Sequence, residues 1–125
     1  MSPRATVNIE PGDKLPLKTL EEGWVQLRRL SFGQIMQRRM FTKFEIEAGG
    51  RGKGKDIRGE LAMANVKITE FEFQHCVVDH NLEDEDGRKL DLTKASDFNK
   101  LDPKVGQEIE ELIRDLNDFE EEEGE

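Results

Sequence analysis

Residues 56–82 read Asp56-Ile57-Arg58-Gly59-Glu60-Leu61-Ala62-Met63-Ala64-Asn65-Val66-Lys67-Ile68-Thr69-Glu70-Phe71-Glu72-Phe73-Gln74-His75-Cys76-Val77-Val78-Asp79-His80-Asn81-Leu82. Ile57, Leu61, Ala64, Ile68, Phe71, His75, Val78 and Leu82 recur at alternating steps of four and three. Such a seam lies along one side of a helix, so the spacing predicts a helix from Ile57 to about Asp79. Its C-terminal half also fits a strand, because Phe71, Phe73, His75 and Val77 alternate. The longer register decides for helix, and with it for a mainly α fold.

Upstream, Gly-Gly-Arg-Gly-Lys-Gly-Lys at 49–55 is a flexible basic connector, and Asp56 is positioned as an N-cap. Before it, Phe32, Ile35, Met36, Met40 and Phe44 form an apolar stripe, which predicts a helix over Phe32–Ala48. Ser31 and Gln34 make a capping box at its start, flanked by Leu30 and Ile35 as a staple, and Gly49-Gly50 is the expected stop. Leu15, Leu17 and Leu20, then Gly23, then Trp24, Val25 and Leu27 read as a β-hairpin. Residues 1–14 are expected to be a loosely ordered arm with a short strand at Val7–Ile9.

Downstream, Asp86-Gly87 marks a turn in a charged loop, and Thr93 is placed to cap a short helix, Lys94–Lys100, that buries Ala95 and Phe98. Asp102-Pro103 opens a last helix whose apolar face is Val105, Ile109, Leu112, Ile113, Leu116 and Phe119. Five of the six residues 120–125 are Glu; their mutual repulsion predicts an acidic disordered tail. The expected architecture is one small helical domain over 15–119, with three main helices, a short fourth and an N-terminal hairpin.

The chain has 125 residues and a net charge of −9, divided unevenly: residues 1–60 carry +4 and residues 61–125 carry −13. No apolar run is long enough to span a membrane, and Met1-Ser2-Pro3-Arg4 does not open a secretory signal. The single cysteine, Cys76, cannot form an internal disulfide, and one Trp without Tyr leaves little for base stacking.

Four chemistries can be tested against the residues. Gly49, Gly54 and Lys55 match the spacing of a phosphate loop, but Asp56 stands where a Ser or Thr should hold magnesium, and a carboxylate there repels phosphate. Asp84, Asp86 and Gly87 resemble part of a calcium loop, whose first ligand position falls on Leu82. His75, Cys76, Asp79 and His80 share one side of a helix, yet no second cluster completes a zinc site, and Cys76 has no third group to orient a base. The basic run from Arg28 to Lys55 belongs to an acidic chain without a groove-reading motif, which argues against nucleic-acid binding. The residues offer no catalytic constellation, metal site or cofactor site, so an enzyme is not expected.

Leu17-Lys18-Thr19-Leu20-Glu21-Glu22-Gly23-Trp24-Val25-Gln26-Leu27-Arg28, followed by a helix with Arg38-Arg39, resembles the N-terminal motif of small proteins encoded among tail genes of long-tailed bacteriophages. Val77 to Leu92 resembles their central pattern, and Leu101-Asp102-Pro103-Lys104-Val105 with its amphipathic helix and acidic tail resembles their ending. The family is the tail assembly chaperones of siphophages, and the similarity covers about residues 15–119. It implies a non-enzymatic protein of the host cell cytoplasm, absent from the mature virion, that binds and solubilises the tape measure protein and helps recruit tail tube subunits. The family carries no catalytic residues.

A chaperone of this kind needs an adaptable apolar surface, which Met side chains provide. The expected partner-binding residues are Phe32, Met36, Met40 and Phe44 on the first helix and Leu61 and Ile68 on the second. The long seam leaves self-association open. A structural virion subunit, such as a small tail or head–tail connector protein, is the alternative, and the −13 of the second half raises a DNA mimic as a third reading.

Overall fold

Leu15, Val25 and His80 stand side by side across a three-stranded antiparallel sheet. In the computed structural model the described residues are Pro3, 5–51 and 55–117, without the side chains of 42–65. The strands are β1 (Lys14–Pro16), β2 (Trp24–Leu27) and β3 (Val77–His80), with β2 in the centre. The helices are α1 (Phe32–Arg51), α2 (Lys55–Cys76), α3 (Ala95–Phe98) and α4 (Pro103–Asn117). The four helices take up 61 of the described residues. The hairpin is therefore part of a larger sheet, and the fold is only partly the mainly α one expected.

The expected helix from Ile57 to Asp79 stops at Cys76, and the chain turns directly into β3. Its last carbonyls find donors on β2's far end: Arg28 N–H donates to Cys76 O at 2.9 Å and Arg28 Nε to His75 O at 2.7 Å. The β-branched pair Val77-Val78 then pairs with β2, in the register Val25↔His80, Gln26↔Asp79 and Leu27↔Val77, with a bulge between Gln26 and Leu27. Val78, assigned to the helical seam, is exposed on this edge strand.

α1 begins as expected. Ser31 N–H donates to Gln34 Oε1 at 3.0 Å and Gln34 N–H to Ser31 Oγ at 3.3 Å, a reciprocal capping box. Gly49-Gly50 does not stop it; α1 runs on to Arg51 in spite of a helix penalty of roughly 1 kcal/mol for each glycine. α2 starts at Lys55, so Asp56 lies inside its first turn rather than capping it. The pairs Gln34–His75, Arg38–Glu72 and Phe41–Phe71 show α1 and α2 running antiparallel.

The core joins the inward residues of the sheet, Val25 and Leu27, to Phe71, Phe73 and Cys76 at the end of α2, and to Val105, Ile109 and Ile113 of α4. Leu17, Leu30, Leu82, Leu90 and Leu92 from the connections close it. α4 starts with Asp102 Oδ1 accepting from the Lys104 N–H, as Asp102-Pro103 predicts. The short helix is only Ala95–Phe98, with Lys94 at its N-cap. Thr93 instead bonds Asp91, Ala95 is exposed, and Phe98 packs edge-on against Phe73. Val7–Ile9 forms no strand. Phe119 and the tail 120–125 lie outside the described residues.

Candidate functional site

α1 has two sides. Ile35 and Phe41 pack against the core and Arg38 is buried against α2. One step round the helix, Phe32, Met36 and Met40 follow at intervals of four and line a single outward ridge about 12 Å long. They are 75%, 42% and 68% exposed. Three large apolar side chains in a row on solvent are a contiguous patch, unlike the scattered apolar residues of an ordinary surface. Arg39 reaches back along it, with Nη1 at 3.5 Å from Met36 Sδ.

The root of this ridge is fixed. Leu30 N–H donates to Asn117 Oδ1 at 2.8 Å, and Asn117 Nδ2 donates to Ile113 O and to Cys76 Sγ. One buried amide thus ties α4 to the entrance of α1 and to the end of α2. Leu116, beside it, adds exposed apolar surface at the same end.

The other expected partner residues fall elsewhere. Ile68 is only 7% exposed and belongs to the interior, because α2 turns that part of its seam inward; it presents nothing to a partner. The side chains of Phe44 and Leu61 lie outside the described residues.

His75, Cys76, Asp79 and His80 do not converge, because the chain changes from helix to strand between them. Gln34 Nε2 donates to His75 Nδ1 at 3.2 Å; burial, assisted by the Arg28 charge, holds the His75 pKa down. The Leu82 N–H donates to His80 Nδ1 at 3.0 Å, which fixes the neutral ring, and burial lowers this pKa too. Cys76 is fully buried and its thiol is pushed up to about 12 by desolvation, which leaves it protonated and unreactive. Asp79 instead pairs with Lys89 at 2.7 Å on the surface. In the charged loop, Asp84 Oδ1 accepts from the Asp86 and Arg88 N–H groups and so serves its own turn, with Gly87 at φ 81. Among the described residues no three His, Cys, Asp or Glu side chains are grouped to hold a metal ion.

Sequence reading missed the polar ties that set this geometry. Glu72 lies between Phe71 and Phe73, off the seam, yet it is buried against Arg38. Asn117 is a single polar residue on the apolar face of α4, and that position is the one signal that marks it.

The arrangement defines a small α+β protein whose helical hairpin presents an apolar ridge. No family model, curated protein or solved structure matches the chain. Among the described residues no helix is long and apolar enough to cross a membrane.

Proposed function

We propose that this chain is a non-enzymatic tail assembly chaperone of a siphovirus-type phage, acting in the host cytoplasm and left out of the mature virion. Its partner is the tape measure protein, whose long helices expose apolar stripes, and with it the tail tube subunits it helps recruit. The observation that carries this reading is the exposure of Phe32, Met36 and Met40 along one ridge of α1. A ridge at four-residue spacing packs into the groove of a second helix, and unbranched Met lets it follow an imperfect surface. The ridge is rooted in a capped, core-anchored turn, so it is presented without a large ordering cost. The net charge of −9 keeps a complex of apolar helices in solution.

The test is co-expression with the tape measure protein. The wild-type chain is expected to raise its soluble yield and to co-purify with it, and Met40→Asp to abolish both while leaving the circular dichroism spectrum intact. Unchanged co-purification by that variant removes the ridge from the interface. Detection of the chain in purified particles by mass spectrometry supports a structural subunit instead.

A further inference from the structure

At the opposite end of α4 from the ridge lies a second feature. Val105 and Asn117 are twelve residues apart, which places the two about 18 Å from each other. Three connections meet there: the β1–β2 loop at Leu20, the loop from Leu82 to Leu90, and the turn Lys100–Asp102 before α4. They enclose an open cavity of about 530 Å³. Its floor is apolar, made by Leu82, Leu90 and Val105, with Leu20 and Leu101 on the walls.

The rim is charged and one-sided. Glu83, Asp84, Glu85, Asp86 and Asp102 line it with Lys100, the one cation among its described lining residues, and the Arg88 charge also acts on Asp84. Two of these carboxylates are committed. Asp102 caps α4, and the Arg88 and Asp86 amides, with the Lys100 charge adding to them, hold the Asp84 carboxyl below its usual range. Among the described residues Glu83, Glu85 and Asp86 have no side-chain hydrogen bond or ion pair, and they are exposed. A low-dielectric floor ringed by uncommitted negative charge attracts a group that is apolar at its tip and cationic at its flanks.

We propose that this cavity docks a basic peptide segment of a partner protein, which inserts one aliphatic side chain onto Leu82, Leu90 and Val105 and sets Lys or Arg residues against Glu83, Glu85 and Asp86. Charge complementarity selects this occupant. A wholly apolar segment would leave the carboxylates of the mouth desolvated and unpaired, and an acidic one would be repelled. The site does not depend on the ridge of α1, so either can fail while the other stands.

The experiment titrates the full chain into a fluorescein-labelled peptide, Gly-Lys-Lys-Leu-Lys-Lys-Gly, at low salt, with amide chemical shifts recorded in parallel. Saturable binding is expected, with shifts at Leu20, at 82–86 and at 100–105. Replacing the central Leu of the peptide by Gly is expected to weaken binding at least about tenfold. Glu83→Lys with Glu85→Lys weakens it by about tenfold, and Lys100→Glu tightens it by about threefold. That opposite response separates docking from a loss of folding. The proposal is overturned by shifts confined to Glu120–Glu125, which report general attraction to the tail. It is equally overturned by equal affinity for the Gly peptide, by indifference to both charge variants, or by octylammonium binding as tightly as the peptide. Self-association through the same residues without peptide overturns it in favour of a second copy.

Discussion

Arg38 Nε lies 2.7 Å from Glu72 Oε1, and both side chains are buried between α1 and α2. Glu72 Oε2 has no hydrogen-bond partner, so the pair is desolvated without being fully compensated. Breaking such a pair from one side strands the other charge, whereas replacing both by apolar groups does not. Arg38→Met is expected to cost about 3–5 kcal/mol in urea unfolding, because it strands the Glu72 carboxylate, and adding Glu72→Leu to recover most of that loss. A double variant as unstable as the single one would show that the pair itself is net stabilising.

The same carboxylate gives a pH signature. Desolvation raises the Glu72 pKa above 4.5, and the hydrogen bond and charge of Arg38 offset this only in part. Folded Glu72 therefore holds its proton more tightly than unfolded Glu72 does. Its contribution to stability is complete below pH 4.5 and is lost as pH rises through the folded value. The stability advantage of the wild-type chain over Glu72→Gln should fall as pH is raised from 4.5 to 7, measured by denaturant midpoints at each pH.

Glu108 predicts the opposite slope. Its carboxylate accepts from Lys18 N–H, Thr19 N–H and Thr19 Oγ1, at 2.6–3.0 Å, and so fastens the β1–β2 loop to α4. Partial burial opposes ionisation, but these hydrogen bonds together outweigh it and hold the pKa below 4.5. The contribution is present above pH 4.5 and is lost as pH falls through the lower folded value. Glu108→Gln is expected to cost about 1 kcal/mol at pH 7 and little at pH 3, read from urea unfolding.

These polar ties also show where sequence reading stops. The capping box at Ser31, the Asp102-Pro103 start and the hairpin are encoded within a few neighbouring residues, and the structure has all three. The end of α2 is not so encoded. Phe71, Glu72 and Phe73 are all buried, so the helix has no polar side there and its period is erased. The switch to β3 depends on Arg28, forty-eight positions before Cys76, which caps the helix and opens the pairing with β2. Of the expected partner residues, Phe32, Met36 and Met40 are exposed and Ile68 is buried. Periodicity marks an apolar side of a helix without saying whether the protein or a partner covers it.

Cys76 should be chemically silent while the protein is folded. It has no exposure, and its thiol pKa of about 12 leaves almost no thiolate at neutral pH. Reaction with a disulfide reagent at pH 8 is expected only at the rate of unfolding, and to accelerate in urea in step with loss of helix signal. Rapid labelling in native buffer would place the thiol outside the core.

The ridge makes a contrasting prediction about stability. Phe32, Met36 and Met40 are exposed, so removing them uncovers no core. Phe32→Ser and Met40→Asp are each expected to change unfolding free energy by less than about 0.5 kcal/mol, against about 2–5 kcal/mol for Ile109→Ala in the interior of α4. Both ridge variants should also raise the concentration at which the isolated chain begins to scatter light, because the apolar patch is what neighbouring molecules would share. A large stability loss from Met40→Asp would mean that the ridge is covered by the chain itself. Failed co-purification by that variant would then report unfolding rather than a lost interface.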